Sequence, residues 1–479
     1  MNGPDAARLI RSPWPAAIVG IAAVVWAVAV APSATAAVVV VLAVASWLVW
    51  KFGLRMGLWL LFLASIPYRE PLSIDIVGTA SLFTTDVVLV ALFIDAAIRG
   101  ELLRLWRRSA VLKIGIAILL LSLPGLMTAT QFFWGLTSVY RIALQIALFV
   151  VAMSVVRTGR DATLSLVAVV LGLAPAIVYG LYQATLPYGA DLPDWANHLV
   201  SYGPTGARKV RVFSTFDHTL RFSHYLTIGL GLSIGLAFSS LRRVAKGALL
   251  AIGAAAAYCN LFTSSIAGAV GIVSVSGTGL ILGRRRAAVL LPLLIVLLFL
   301  LSPANLVSKA TRVLSGDATT IAARLVTYKQ GVEVIRTRPL TGTGWGGIRR
   351  FMEHDFRITR AHAVAFGAEN YFLQRAMALG LPGLALYVAL CVIFFRNLSR
   401  TRGSPEIADW PGAAVLVGGI AFYVQGQSFP ATSATTNFVL WLLFALAARM
   451  SEKVKSVPDV ATAEEVKSVP DVATAEEGE

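Results

Sequence analysis

The longest polar segment ahead of the chain's tail spans residues 302–369, and its charge is mainly basic. Ten lysines and arginines stand there against five carboxylates. Guanidinium groups bind phosphate oxygens through paired N–H donors, so this excess of positive charge suits a fixed anion such as a phosphate. Attraction to anionic lipid headgroups is the alternative explanation. The basic residues are Lys309, Arg312, Arg324, Lys329, Arg336, Arg338, Arg349, Arg350, Arg357 and Arg360.

A carboxylate and an amide, Glu369 and Asn370, end this polar segment where an apolar helix is predicted to begin. The positive end of a helix stabilises a carboxylate, and asparagine is a favoured N-cap residue. Next to a basic loop, the same carboxylate could also act as a general base on a hydroxyl group. The residues alone leave both interpretations open. His362, in the same segment, is a second candidate base.

The same segment holds a predicted helix followed by a glycine-rich stretch. Arg324 and Tyr328 are four residues apart, so they share a helix face, and the apolar spacing indicates a surface helix lying on a membrane. The glycines of 338–347 could cradle a phosphate with backbone N–H groups. A nucleotide-binding P-loop is excluded because no Lys-Ser/Thr pair follows. A flexible turn is the favoured interpretation.

A second polar cluster precedes the predicted span 222–240. Arg211 comes before Phe213–Phe216, and His218 follows shortly after. Interfacial anchoring explains such residues at a membrane boundary as readily as ligand binding does. All five histidines are nevertheless predicted on the extracytoplasmic side, which favours a polar site there: His198, His218, His224, His354 and His362.

The remainder of the chain predicts a lipid-embedded frame. Apolar residues make up 57% and charged residues 14%, with a mean hydropathy of +0.75, whereas soluble domains carry roughly 25% charged residues. The sequence predicts an all-α polytopic membrane helix bundle of about 12–14 transmembrane helices with a large, partly helical extracytoplasmic loop. Predicted spans are 14–31, 36–50, 54–67, 82–98, 112–129, 137–156, 162–185, 222–240, 247–264, 266–283, 287–302, 370–395, 411–426 and 436–449.

Basic residues mark every second connection between these spans, which predicts that both termini are cytoplasmic. Loops 186–221 and 303–369 then lie outside the cytoplasm. The formal net charge of +16 is explained by this topology and by membrane lipid, so no nucleic-acid partner is expected. Cys259 and Cys391 lie in apolar runs and indicate neither a disulfide framework nor a metal site.

Two domains are predicted. Residues 1–450 form the transmembrane domain, and Arg8 and Arg11 precede a retained first span rather than a cleaved signal peptide. Residues 451–479 form a disordered cytoplasmic tail, in which the twelve residues of 454–465 recur unchanged as 466–477.

Four motifs in order resemble the O-antigen ligase/polymerase superfamily of bacterial envelope glycan enzymes. An Arg followed by G/S-x-F is resembled by Arg211 with Phe213–Phe216, and a T-x-S-R-G span start by 263–268. The R-x(3)-Y/W helix leading to P-L-x-G-x-G is resembled by Arg324, Tyr328 and 339–344. The H/E-N-x-(Y/F)-L…G-L-x-G helix is resembled by 369–383. Each motif is degenerate, and together they cover less than half of the chain.

The resemblance implies a metal-independent, inverting membrane glycosyltransferase of the bacterial cytoplasmic (inner) membrane that needs no cofactor. The donor would be an oligosaccharide linked to a polyprenyl diphosphate such as undecaprenyl diphosphate, and the acceptor a glycan or glycolipid. Arg211 and Arg324 would bind the diphosphate, with His218, Tyr328 and Asn370 lining the substrate site. Glu369, or His362 in reserve, would activate the acceptor hydroxyl. Other envelope glycan assembly proteins are possible partners.

Two departures from the family pattern bear on function. Ile266 stands where the T-x-S-R-G motif has its arginine, which removes one expected phosphate ligand. Glu369 stands where the ligases commonly have histidine, which favours an O-antigen or exopolysaccharide polymerase. The alternatives are an O-antigen ligase acting on a lipid or protein acceptor, a transporter or flippase for a lipid-linked solute, and a non-catalytic scaffold. A transporter would be expected to have broken helices and charged residues deep in the membrane. The predicted spans contain few ionisable residues: Asp86, Asp95 and Arg141.

Overall fold

A computed structural model of the chain places most of the predicted bundle. It describes residues 34–68, 73–77, 80–127, 132–186, 200–202, 208–210, 212–216, 218–283, 296, 300–303, 306–308, 310–311, 319–345, 347–348, 370–427 and 434–455. The predicted first span, the basic part of the loop at 349–369 and the duplicated tail from 456 onward lie outside these residues.

The prediction of an all-α polytopic membrane bundle is confirmed. Twelve of the fourteen predicted spans coincide with described helices; 14–31 and most of 287–302 lie outside the described residues. The helices are α1 Ala34–Phe52, α2 Leu54–Ser65, α3 Thr84–Ile98, α4 Glu101–Arg108, α5 Ala110–Ser122, α6 Pro124–Met127, α7 Phe132–Val155, α8 Gly159–Thr185, α9 Thr219–Leu236, α10 Arg243–Phe262, α11 Ile266–Gly283, α12 Thr319–Thr337, α13 Tyr371–Thr401, α14 Gly412–Gly426 and α15 Ala434–Lys455. Short 3-10 turns span Ile66–Tyr68 and Pro405–Ile407.

Length separates these helices into two groups. By length and composition, six of the described helices can cross a membrane unaided: α8, α10, α11, α13, α15 and the Gly135–Val155 part of α7. The bent pair of α4 with Ala110–Leu126 brings the number to seven if it counts as one span. Shorter apolar helices lie at Ala43–Phe52, Leu54–Tyr68 and Gly412–Gly426.

Two antiparallel hairpins, each of two short strands, interrupt the helical pattern in connecting segments. Strand β1, Ser73–Val77, pairs with β2, Ala80–Phe83, directly before α3. Strand β3, Val200–Tyr202, pairs with β4, Arg208–Val210, directly before the Val212–Phe216 segment. Both hairpins pair backbone groups locally within the connecting segments.

Helices α9 and α15 form the centre of the bundle. Nearly every residue of α15 is buried, with Trp441 packed edge-on against Phe149 of α7 at 6.3 Å between ring centroids. Helix α9 packs against α10 and α14 through small residues that let the backbones approach closely. A Cβ atom at Gly235 would overlap the backbone of Ala414, and one at Gly231 would lie 3.0 Å from the carbonyl oxygen of Val417.

Charged residues pair at one end of the bundle. Arg55 at the start of α2 binds Asp95 at 2.9 Å and Glu101 at 3.0 Å, and its guanidinium donates to the hydroxyl of Ser154 at 2.8 Å. Arg157 lies 3.7 Å from Glu101. The start of α2, the end of α3, the start of α4 and the end of α7 therefore lie together. The pattern of basic residues predicts the same side of the membrane for all four. Which side of the membrane this is stays a prediction.

We expect Gly235→Ala to lower the free energy of unfolding by about 1–3 kcal/mol, because the new methyl group forces α9 away from α14. Gly247→Ala is the matched control, since its Cβ would meet nothing within 4 Å. That substitution should leave stability unchanged or raise it by about 0.5–1 kcal/mol, the usual helix gain. Chemical denaturation of the purified protein in detergent measures both. Equal stability of the two variants would contradict the close approach.

Candidate functional site

Three segments of the chain meet at Gln427, just after the end of α14. The hydroxyl of Tyr328, from α12, donates to the backbone carbonyl of Gln427 at 3.2 Å. The side-chain amide of Asn370, at the start of α13, donates to the side-chain oxygen of Gln427 at 3.0 Å and to its carbonyl at 3.4 Å. The structure thus brings together two predicted substrate-binding residues, and Gln427, which the sequence analysis missed, joins them.

Asn370 is the N-cap of α13. Its side-chain oxygen accepts hydrogen bonds from the backbone N–H groups of Phe372 and Leu373, both at 3.0 Å. Such a cap satisfies donors that no carbonyl inside the helix can reach. With its oxygen on the helix and its nitrogen on Gln427, the amide is committed to holding this helix start in place.

Helix α12 packs on α13 rather than lying free on a membrane surface. A Cβ atom at Gly331 would lie 3.1 Å from side-chain atoms of both Leu373 and Met377, and Val334 is fully buried. Leu325 and Val326 remain more than half exposed, so the opposite face is apolar and open. The predicted surface helix exists, with one face bound to the bundle. Arg324 lies one turn before Tyr328 in this helix, and its side chain is outside the described part of the structure.

The glycine-rich stretch fills a break in α13. At Gly380 the backbone leaves the helix, with φ 70° and ψ −170°, and Pro382 follows without an N–H group. The carbonyls of Met377 and Ala378 therefore lose the partners a continuous helix would supply. The backbone N–H groups of Thr343 and Gly344 donate to those two carbonyls, both at 2.9 Å.

The loop also accepts a hydrogen bond from the broken helix, and the close contact requires glycine at two positions. The N–H of Leu381, which the break also frees, donates to the carbonyl of Pro339 at 2.7 Å. Gly342 has φ +61°, and a Cβ atom there would lie 2.5 Å from the backbone of Ala378. One at Gly380 would lie 2.6 Å from the carbonyl oxygen of Pro339. The interpretation of 338–347 as a flexible turn is therefore wrong. A phosphate cradle from Thr343 and Gly344 is excluded as well, since their N–H groups are already used.

Arg375, one turn after the start of α13, is a buried arginine that the sequence analysis did not predict as a site residue. Its guanidinium carbon lies 4.4 Å from the ring centroid of Tyr371 and 5.2 Å from those of Tyr387 and Trp345. Aromatic faces stabilise a desolvated cation. Trp345 comes from the docked loop, and its indole N–H donates to Ser122 at 3.2 Å. The sequence does carry a signal, because Tyr371 and Arg375 stand four residues apart in an apolar helix.

A polar network crosses the interior between α9, α10 and α14. The hydroxyl of Ser223 donates to the side-chain oxygen of Asn260 at 2.7 Å and accepts from Gln425 at 2.8 Å. Asn260 also donates to Thr227 at 3.0 Å. Thr263, in the turn between α10 and α11, donates to the carbonyl of Asn260 at 2.7 Å. The hydroxyl of Thr263 thus satisfies an interior backbone carbonyl.

The segment before α9 is anchored to α8. The backbone N–H groups of Phe213 and Ser214 donate to the side-chain oxygen of Gln183 at 3.2 and 2.7 Å. His218 is the N-cap of α9, with its ring nitrogen accepting from the N–H of Leu220 at 3.1 Å. His224 is fully buried in α9, 3.1 Å from the carbonyl of Phe422. It therefore does not belong to the polar surface predicted for all five histidines.

Three predicted site residues, Arg211, Glu369 and His362, lie outside the described residues, and their roles stay predictions. Among the residues that are described, no group of three or more His, Cys, Asp or Glu side chains is arranged to hold a metal ion.

Part of the chain matches a known protein family. Residues 245–388 match the family model described as O-Antigen ligase. The match supports the O-antigen ligase/polymerase superfamily and, with it, a role of the ligase/polymerase type in glycan assembly by a multi-pass membrane protein. Three of the four motifs, at 263–268, 324–344 and 369–383, lie inside the matched range, and the one at 211–216 lies outside it. No curated protein matches the chain.

We expect Gly342→Ala to destabilise the protein by more than the cost of a left-handed alanine, about 1–2 kcal/mol, because its methyl group also pushes the loop off Ala378. Gly403→Ala is the matched control: Gly403 has φ +80°, and a Cβ atom there would meet nothing within 4 Å. Denaturation in detergent compares the two. Equal losses would mean that the loop does not bind the break.

Proposed function

We propose that this protein, whose residues 245–388 carry an O-antigen ligase domain, joins glycan units linked to a polyprenyl diphosphate on the extracytoplasmic face of the bacterial inner membrane. It acts as an O-antigen or exopolysaccharide polymerase. The observation that carries the proposal is the junction at Gln427, where α12 and the start of α13 are fixed against each other. These are the two elements whose motifs resemble the family's substrate-binding and base-bearing segments.

The junction supports the proposal because of what lies next to it along the chain. Arg324 precedes Tyr328 by one turn of α12, and Glu369 is bonded directly to Asn370. Consecutive Cα atoms are about 3.8 Å apart, and a helical turn rises about 5.4 Å. The cation proposed to bind phosphate and the carboxylate proposed as the base thus both lie close to this contact along the chain. Reacting groups must be held in fixed relative positions for catalysis.

The proposed reaction is a single displacement. The oxygen of an acceptor sugar hydroxyl forms a bond to the anomeric carbon of the donor, and the bond from that carbon to the diphosphate oxygen breaks. Glu369 takes the hydroxyl proton as general base, with His362 as the reserve candidate. The polyprenyl diphosphate leaves with the bonding electrons, and Arg211 and Arg324 stabilise its charge. Attack from the opposite face inverts the anomeric carbon. Asn370 and Tyr328 position the site through Gln427.

The break in α13 bears on the transporter alternative. Transporters use unwound helices whose freed backbone groups coordinate the solute. Here the freed carbonyls of Met377 and Ala378 accept hydrogen bonds from Thr343 and Gly344. Because these groups are satisfied within the protein, the break favours a structural role over solute coordination. Glu369, in place of the ligases' histidine, remains the reason to favour a polymerase over a ligase that acts on a lipid or protein acceptor.

Arg324→Ala should reduce turnover about 10²–10³-fold, the usual cost of removing one donor that stabilises a developing anion. The assay incubates purified protein with a lipid-linked oligosaccharide and separates lengthened glycan from glycan transferred to another lipid. Arg336→Ala is the matched control, since Arg336 lies on the same helix, is exposed and pairs only weakly with Glu333 at 3.6 Å. Turnover equal to wild type in Arg324→Ala would count against the proposal. Transfer to a second lipid without lengthening would indicate a ligase.

Glu369→Gln keeps the side chain's shape but cannot accept the hydroxyl proton, so we expect turnover to fall about 10²–10⁴-fold with donor binding retained. The same assay measures turnover, and binding of the lipid-linked donor is followed separately. His362→Gln is the companion variant. If Glu369→Gln turns over normally while His362→Gln does not, the base is His362; if both are normal, the general-base mechanism is wrong.

A further inference from the structure

A short amphipathic helix, α4, lies across the direction of the bundle at its charge-paired end. Its axis and that of Ala110–Leu126 differ by 98°. Ser109 makes the corner by accepting from the N–H of Leu112 at 3.3 Å, and Lys113 donates to the last-turn carbonyl of Arg107 at 3.4 Å. Leu105 is buried and holds the helix to the bundle. A helix of this kind lies at the level of lipid headgroups.

An apolar groove opens beside this helix. It is shallow and open to the surroundings, with a volume of about 410 Å³. Leu103 is 58% exposed and Trp106 41% exposed, although both are large and apolar. The groove is lined by Ala97, Gly100, Leu102, Leu103, Trp106 and Ile116.

The charges around the groove are unbalanced. The two carboxylates of this region, Asp95 and Glu101, are occupied: Asp95 binds Arg55 and Arg99, and Glu101 binds Arg55 and Arg157. The exposed guanidinium groups on α4 make no hydrogen bond or ion pair within the described part of the chain. These are Arg104, Arg107 and Arg108.

We propose that this surface, α4 with its groove, binds an anionic phospholipid. One acyl chain lies in the groove, and the headgroup phosphate accepts hydrogen bonds from the arginines of α4. A zwitterionic lipid fits less well, because its ammonium group would find both nearby carboxylates already paired. Free phosphate would make no use of the groove. The site is independent of the proposed glycan chemistry, which belongs to the Gln427 junction.

The test is native mass spectrometry of the full-length protein with phosphatidylglycerol and, in parallel, phosphatidylcholine. Wild type should retain phosphatidylglycerol preferentially. Replacing Arg104, Arg107 and Arg108 together with glutamine should weaken that binding on the order of a hundredfold, about fivefold for each guanidinium. The matched control replaces Arg396, Arg400 and Arg402, three exposed arginines at the end of α13, and should bind like wild type. Equal binding by the two triple variants, whether retained or lost, would overturn the proposal.

A second variant tests the groove without changing charge. Ala97→Leu places extra volume in the groove, so it should lower phosphatidylglycerol retention several-fold while all three arginines remain. Retention equal to wild type would overturn the acyl-chain part of the proposal, as would displacement of the lipid by excess inorganic phosphate. A polyprenyl phosphate that displaces phosphatidylglycerol at equal concentration would assign the site to a carrier lipid and overturn the stated occupant.

Discussion

Backbone N–H and C=O groups inside an apolar bundle must be hydrogen-bonded within the protein. The break in α13 at Gly380 is where the helix itself cannot supply these bonds. A helix interrupted by Gly380 and Pro382 leaves two carbonyls and one N–H group without partners. The stretch from Pro339 to Gly344 supplies partners for all three. The loop is consequently an integral part of the bundle, and it fixes α12, which immediately precedes it, against the first half of α13.

That contact determines what happens at the start of α13. The first turns of α13 carry an N-cap at Asn370, an aromatic ring at Tyr371 and, on the same face as that ring, a buried cation at Arg375. Trp345 reaches the same cation from the docked loop. Helix α14 completes the arrangement through Gln427, which receives hydrogen bonds from both α12 and α13. A site built on these elements is held by packed helices rather than by a free loop, which suits chemistry that depends on fixed distances.

The two ends of the bundle differ in how they treat charge. At the end where Arg55, Asp95 and Glu101 meet, cations and carboxylates pair with one another, and the outward arginines of α4 form no ion pair within the described residues. At Gln427 itself the described contacts are hydrogen bonds between neutral groups, and the nearest described buried cation, Arg375, is held by aromatic rings. The charge pairing at the first end is structural, whereas the binding of an anionic donor that we propose would belong to the segments next to the Gln427 junction.

By itself the sequence determined the membrane class, the approximate limits of most helices and the order of the family's motifs. Apolar runs of bilayer length and basic residues at alternate helix ends are local properties, so they can be read without the fold. The capping role of Asn370 was likewise predictable from its position. Only the tertiary structure decided that the two glycine motifs, at 339–344 and 380–383, are halves of one contact. It also decided that Gln427 joins Tyr328 to Asn370, that Arg375 is buried among aromatic rings, and that His224 is internal. Each of these depends on which distant segments satisfy a given polar group, and that pairing is set by how the helices pack rather than by spacing along the chain.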